Sequence, residues 1–317
     1  MPTRRFFLAA LAIAALPHVA GTAFAQEPEK LPVVATFSIL GDIVSNVGGD
    51  RVSVKNIVGP NADSHVYSPS PADAKMLADA KVIVTNGLGF EGWLARLVKS
   101  SNTKAPNIVA ATGIKPRKMA GQHAHGHGHK HGHKHSHGHS HGDGDPHAWQ
   151  SVANVKIYVA NIRDGLIAAD PAGKAVYEDN AAAYLARLDE LDREVREAVG
   201  RIPADRRKVI TTHDAFGYFQ DAYGLTFVAP QGVSTDSEAS ARDVARIITQ
   251  IRKQKIPALF LENVSDPRLL KQIADETGAK IGGTLYSDAL TDEKGPAPTY
   301  IDLIRHNIRT LSAALQS

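Results

Sequence analysis

Ten of the fifteen histidines in this chain occupy every second position of one stretch, which we call the histidine tract. They are His123, His125, His127, His129, His131, His133, His135, His137, His139 and His141. Alternating imidazoles bind zinc, copper or nickel, and a stretch with almost no apolar side chains cannot enter a packed core. The tract could also be a tether that gains charge below about pH 6.5, or a solubilising linker, although a linker would not need imidazole in particular. We therefore expect a disordered loop over residues 121–144 that binds auxiliary metal weakly.

Four histidines lie outside both the tract and the amino-terminal segment: His65, His147, His213 and His306. The first three lie in loops or directly after predicted strands, and Asp288 follows the last predicted strand. Each residue alone has an ordinary interpretation as a surface side chain or a helix cap. Together, three neutral imidazoles and one carboxylate form a complete tetrahedral set for Zn²⁺. We assign His306, which falls within a helical pattern, to the surface or to packing.

The absence of cysteine limits the chemistry of any metal site. Such a site must use imidazole and carboxylate, with no thiolate. The composition gives no sign of a nucleic-acid partner, because the formal net charge is only +3 and no basic aromatic pattern occurs. Since no disulfide can brace the chain, its core must be large enough to hold the fold.

The amino terminus predicts export. Arg4 and Arg5 precede an apolar run from Phe6 to Leu16, and Ala23-Phe24-Ala25 fits a cleavage site, so we interpret residues 1–25 as a signal peptide. The arginine pair also fits the twin-arginine pattern, which leaves the export route open. With no cysteine after the apolar run, we expect no lipid anchor. We predict a soluble, monomeric protein of the bacterial periplasm.

The elements that position these residues alternate between short apolar strands and helices, which predicts an α/β fold. We expect two lobes, each with a mainly parallel four-stranded sheet flanked by helices. The amino-terminal lobe would span residues 26–170 and the carboxy-terminal lobe 201–317. Between them, residues 171–200 carry a long helical pattern with leucines at spacings of three and four. Ligands in such folds bind at the carboxyl ends of the strands, here in the cleft between the lobes.

Three motifs resemble the cluster A-I substrate-binding proteins of zinc and manganese ABC transporters. They are His65–Pro71, Asp145–Trp149 and Thr212–Phe219, and the resemblance extends over the whole mature chain. It implies two lobes around one rigid helix, with metal ligands at His65, His147, His213 and Asp288. Manganese-type members carry glutamate where this chain has His213. The tract before Asp145 is typical of zinc members.

The leading hypothesis is therefore a periplasmic receptor that delivers Zn(II) to the membrane permease of a zinc ABC transporter. A periplasmic zinc chaperone is a second candidate partner. The alternatives are a manganese-binding receptor of the same family, a zinc-dependent hydrolase, and a metal store or adhesin that uses the tract alone. A hydrolase needs an open metal position, which Asp288 would fill, and the chain has no H-E-x-x-H motif.

Residues next to the ligands are candidates for orienting the imidazoles. Asp145 and Asp214 neighbour ligands in the sequence, but they could equally cap helices. Glu262, at the end of a predicted strand, could accept a hydrogen bond across the cleft or face water.

Overall fold

The computed structural model describes residues 29–118 and 144–316. The predicted signal peptide, residues 1–25, and the histidine tract lie outside the described residues. Among the described helices, none is both long enough and apolar enough to cross a membrane.

The amino-terminal lobe is built on a parallel four-stranded sheet with the order β2-β1-β3-β4. Its strands are β1 (Leu31–Phe37), β2 (Val52–Val58), β3 (Val82–Thr85) and β4 (Asn107–Val109). Its helices are α1 (Ser38–Gly48), α2 (Pro71–Asp79) and α3 (Leu94–Ser101). Helix α2 shows why these boundaries form where they do. Ser70 and Asp73 form a reciprocal capping box, and Pro71 occupies the first helical position.

A two-stranded antiparallel ribbon follows this sheet, and sequence patterns did not predict it. It pairs β5 (Arg117–Lys118) with β6 (Gly144–Asp145). Gly144, the last residue of the predicted loop 121–144, belongs to this ribbon. Two residues per strand are too few to show an alternation of apolar and polar side chains. After the ribbon, α4 (Val152–Ala169) packs against α1, β3 and β4 of the same lobe.

The long helix α5 (Lys174–Gly200) connects the lobes, as predicted. The predicted start at Pro171 differs slightly, because Pro171–Gly173 form a separate 3₁₀ turn. One face of α5 is buried through Leu188, Leu191 and Val195, which recur at helical spacing. The helix packs against α1 and α4 on one side.

The carboxy-terminal lobe repeats the architecture with a second parallel sheet of order β10-β9-β7-β8. Its strands are β7 (Lys208–Ile210), β8 (Thr226–Val228), β9 (Ala258–Glu262) and β10 (Lys280–Leu285). Its helices are α6 (Gly217–Tyr223), α7 (Ala241–Gln254), α8 (Arg268–Thr277) and α9 (Tyr300–Leu315). Helix α9 packs against α5. The predicted fold class, two α/β lobes joined by one long helix, is confirmed.

Two hydrophobic cores lie beneath these elements. The larger core is continuous through the amino-terminal sheet, α4, α5, α9 and one side of the carboxy-terminal sheet. The smaller core lies between the other side of that sheet and helices α7 and α8. Its buried members are Ile210, Ile247, Ile251, Ile256, Leu259, Leu270, Ile273 and Ala274.

Candidate metal centre

Four side chains from both lobes converge in the cleft, and they are the four predicted from the sequence. One ligand atom from each of His65, His147, His213 and Asp288 lies within 4.8 Å of the other three. His65 follows β2, His147 follows β6, His213 follows β7 and Asp288 follows β10. The carboxyl ends of the strands therefore position the cluster, as expected for an α/β fold.

The distances within the cluster match the edges of a coordination polyhedron. The Nε2 atoms of His65 and His147 are 3.2 Å apart. Asp288 Oδ2 lies 3.3 Å from His65 Nε2 and 3.1 Å from His213 Nε2. Asp288 Oδ1 lies 3.5 Å from His147 Nε2. With metal–nitrogen bonds of 2.0–2.1 Å, a zinc tetrahedron has edges of about 3.3 Å. The donor set therefore fits a metal ion of this size at its centre.

Burial separates His65 from the other three residues. The side chains of His147, His213 and Asp288 are fully buried, and that of His65 is 5% exposed. His65 also lines a groove between the lobes, whose walls include Gly89 and Phe90 on one side and Gly232 and Ser234 on the other. The Phe90 ring stands edge-on to the His65 ring at a centroid distance of 4.9 Å. Solvent reaches the cluster on the His65 side of this groove.

Carboxylates on the outer side of two imidazoles fix how the rings face. Asp145 Oδ1 lies 2.8 Å from His147 Nδ1 and accepts the backbone N–H of His147 at 3.0 Å. Glu262 Oε2 lies 2.6 Å from His213 Nδ1. A carboxylate beside Nδ1 favours the tautomer that leaves the Nε2 lone pair free for a metal. Both rings therefore direct their Nε2 atoms at the centre of the cluster.

Glu262 is held in turn by the backbone on which His213 sits. Its Oε1 atom accepts the N–H groups of Thr212 at 2.7 Å and of His213 at 3.0 Å. The carboxyl group is almost fully buried. Glu262 thus holds the backbone that follows β7 and also orients the imidazole of His213.

The segment that carries Asp288 is fastened to the amino-terminal lobe. Trp149 Nε1 and Gln150 Nε2 both donate to Ser287 O, at 2.8 Å and 2.7 Å. Two residues after Asp288, the N–H of Leu290 donates to Ser38 Oγ at 3.0 Å. The residues that follow His147 therefore help to place Asp288, although Asp288 comes from the other lobe.

The electrostatic field of the cluster favours a positive charge. Burial lowers the pKa of His147, but the carboxylates of Asp288 and Asp145 outweigh it and raise this pKa to about 9. Burial likewise opposes a raised pKa at His213, yet Glu262 and Asp288 hold it well above its usual value. Burial raises the pKa of Asp288, but His213 and His147 hold it well below its usual range. A field that attracts protons to these imidazoles also attracts a metal cation.

The remaining sequence candidates fall into four groups. Asp145 and Glu262 contact imidazoles, whereas no hydrogen bond joins Asp214 to an imidazole in the described part of the chain. His306 packs edge-on against Tyr286 and lies 3.0 Å from Thr284 O through Nε2, so it is a packing residue. The histidine tract lies outside the described residues.

Sequence reasoning missed the residues that hold the cluster through tertiary contacts. Gln150 is one example and Arg117 is another, since its Nη1 atom lies 3.6 Å from Asp145 Oδ2. No pattern marks Arg117, because it lies on the far side of the histidine tract from Asp145 in the sequence.

Comparison with known proteins places this architecture in one family. Residues 33–314 match the family described as ZnuA, zinc-uptake complex component A, periplasmic. The iron-binding protein YfeA of Yersinia pestis is 36% identical over 284 residues, covering 90% of this chain and 86% of YfeA. The manganese-binding lipoprotein MntA of Halalkalibacterium halodurans is 34% identical over 295 residues, covering 93% and 91%.

A solved structure shows the same fold. The periplasmic zinc-binding protein TroA from Treponema pallidum superposes with a TM-score of 0.81 at 30% identity, over 91% of this chain and all of TroA. The manganese ABC transporter substrate-binding lipoprotein PsaA of Streptococcus pneumoniae is 32% identical over 302 residues, covering 93% of this chain and 92% of PsaA. The family consists of substrate-binding receptors of ABC transporters, not of enzymes. With a family match over nearly the whole described chain, a shared fold and a cleft that can hold a cation, the protein belongs to the ZnuA family of metal-binding receptors of ABC transporters.

Proposed function

We propose that this protein captures Zn²⁺ in the periplasm through His65, His147, His213 and Asp288 and delivers it to the permease of a zinc ABC transporter. The observation that carries the proposal is the donor set of three Nε2 atoms and one carboxylate, in which four of the distances between donor atoms lie between 3.1 and 3.5 Å. Zinc favours four nitrogen and oxygen ligands in this arrangement.

The choice of zinc over manganese rests on the third ligand. Imidazole suits zinc, whereas carboxylate and water suit manganese. MntA is named for manganese and YfeA for iron, so the family as a whole is not limited to one metal. His213 would make the site prefer zinc because it supplies a third nitrogen ligand. Glu262, which contacts Nδ1 of the same ring, would hold that ring in place.

A competition experiment tests the metal. Purified metal-free protein is mixed with equimolar Zn²⁺ and Mn²⁺, and the bound metal is measured after gel filtration. We expect zinc almost alone in the wild type. The variant His213→Glu, which replaces a nitrogen by a carboxylate, should retain a larger share of manganese. Retention of manganese by the wild-type protein would refute the proposed selectivity.

A second experiment tests the ligand assignment against the histidine tract, which we propose binds extra zinc weakly. A cluster that is already assembled loses less conformational entropy on a metal than imidazoles spread along a chain, so it should bind more tightly. Deleting residues 122–143 should lower the total zinc per chain and leave one tight equivalent. In that background, His213→Ala should weaken the tight equivalent by orders of magnitude in calorimetry. If deletion of the tract alone abolished tight binding, the site would have been assigned to the wrong residues.

A further inference from the structure

The ribbon β5–β6 carries an arginine that contacts both lobes beside the metal centre. Arg117 pairs with Asp145 across the ribbon, and its Nη1 atom lies 3.6 Å from Asp145 Oδ2. On its other side, Arg117 Nε donates to Asp221 Oδ2 of α6 at 3.0 Å. The side chain is only 15% exposed. One guanidinium group thus lies between a carboxylate of each lobe.

Each of the two carboxylates belongs to a ligand-bearing segment. Asp145 precedes His147 by two residues and holds that imidazole through Oδ1. Asp221 lies in α6, which follows His213 directly after the exit from β7. The backbone adds a further link, because the N–H of Arg117 donates to Tyr218 Oη of the same helix at 2.9 Å. Arg117 therefore connects the segment of His147 to the segment of His213.

The space for the guanidinium depends on a glycine. A Cβ atom added at Gly217 would lie 2.4 Å from Arg117 Nη1 and 2.5 Å from Asp145 Oδ2. Gly217 begins α6 and has no left-handed backbone that would by itself call for glycine. The missing side chain at this position leaves room for the ion pair.

We infer that Arg117 is a positioning residue for the metal centre, which sets the placement of His147 relative to His213 by bridging Asp145 and Asp221. The inference rests on the proposed metal site. The planar guanidinium presents donors in a fixed fork and can contact two carboxylates at once, which the single ammonium of lysine cannot do with the same geometry. Partners behind metal ligands commonly change metal affinity by about 10-fold to 100-fold when they are lost.

The test compares full-length Arg117→Met and Arg117→Lys with the wild type. Zinc affinity is measured by competition with a chromophoric chelator, and the visible spectrum of the Co²⁺ form reports ligand geometry. We expect Arg117→Met to weaken zinc binding by about 10-fold to 100-fold and to alter the Co²⁺ spectrum, with little change in melting temperature. Arg117→Lys should restore only part of the affinity. The control Arg163→Met, at a partly exposed arginine paired with the exposed Asp164, should match the wild type.

Gly217→Ala provides an independent variant that leaves Arg117 in the chain. It should reproduce the weakened zinc binding and the altered Co²⁺ spectrum, because the new methyl group displaces the guanidinium. Wild-type affinity in either Arg117→Met or Gly217→Ala would overturn the inference. A loss of affinity that accompanies a lowered melting temperature, with an unchanged Co²⁺ spectrum, would also overturn it, since that pattern indicates a purely structural role. A wild-type protein that binds no zinc would instead refute the proposed function.

Discussion

At the scale of single residues, the site consists of four side chains that face one another and of two carboxylates, Asp145 and Glu262, that orient two of the imidazoles. His213 illustrates the arrangement, because its Nε2 atom lies 3.1 Å from Asp288 and its Nδ1 atom 2.6 Å from Glu262. His213 supplies a donor atom, and Glu262 fixes which nitrogen faces the centre. The strength of the site should therefore depend on residues that never touch the metal.

Replacing Glu262 tests this dependence. The variant Glu262→Gln keeps an oxygen for the N–H groups of Thr212 and His213 but loses the charge beside His213 Nδ1. We expect zinc affinity to fall by about 10-fold to 100-fold, measured by chelator competition. Glu194→Gln, which removes an exposed carboxylate paired with Arg305, is the matched control. Equal affinity in both variants would show that Glu262 does not orient the ligand.

The four clustered residues could be predicted from the sequence because few isolated histidines exist and three of them fall at comparable points. The groups that hold them could be predicted where they neighbour a ligand in the sequence, as Asp145 does, or end a predicted strand at the cleft, as Glu262 does. Two other groups contact partners far away in the sequence, where no local pattern can indicate them: Ser38, which accepts the N–H of Leu290, and Arg117, which contacts Asp145. Their roles follow from tertiary contacts, so they appear only in the folded structure.

At the scale of elements, α1, α5 and α9 meet at one partly buried carboxylate. Asp42 of α1 accepts the N–H of Tyr300 at 2.9 Å, at the start of α9. Burial raises the pKa of Asp42 to about 6, while Arg187 of α5 partly offsets that effect. The junction between the lobes therefore contains a carboxylate whose charge is unfavourable in the folded protein.

Stability should consequently depend on pH at this junction. Between about pH 4 and pH 6 the folded protein retains a proton on Asp42 that the unfolded chain has released, so the free energy of unfolding falls as pH rises through this window. The variant Asp42→Asn cannot ionise, so it removes this decrease in the free energy of unfolding. Its side-chain oxygen still accepts the N–H of Tyr300. The variant should gain about 2–3 kcal/mol over the wild type near pH 7 and much less below pH 4, measured by urea unfolding. Asp50→Asn, at an exposed position, should show no such pH-dependent difference.

The elements differ in how far the sequence determines them. The strands β1 and β9 could be predicted because each is an almost wholly apolar run, and β2 because its valines alternate with polar residues from Val52 to Lys55. The ribbon β5–β6 could not, because its strands are two residues long and the histidine tract separates them. Its pairing depends on α6, whose Tyr218 hydroxyl accepts the N–H of Arg117.

At the scale of the whole molecule, α5 acts as a fixed connection between the lobes. It has 27 residues, which at 1.5 Å per residue gives a length of about 40 Å. It packs against α1 and α4 in one lobe and α9 in the other, and Arg305 of α9 pairs with Glu194 of α5 at 2.7 Å. A continuous helix anchored on both sides resists bending, unlike a hinge made of loops.

Zinc should therefore change the overall shape very little. We expect X-ray scattering to give nearly the same radius of gyration for the metal-free and zinc-loaded proteins, with differences confined to the loops around His65, His147 and Asp288. A sugar or amino-acid receptor that closes on loop hinges would serve as a comparison for a large change. A clear compaction of this protein on adding zinc would show that α5 bends or that the lobes rotate about it.

The small core beneath α7 and α8 separates these two helices from the rest of the molecule, whereas the main core runs through both lobes. Because the residues of the small core pack separately from the main core, we expect α7 and α8 to unfold locally while β1, α5 and α9 stay folded. Their amide hydrogens should then exchange with solvent faster than those of the main core. Such an opening would disturb β9, which ends at Glu262, and would remove the support behind His213 while His65 and His147 stay in place. Occasional local unfolding of α7 and α8 would provide a path by which a tightly held ion leaves without any movement of the lobes.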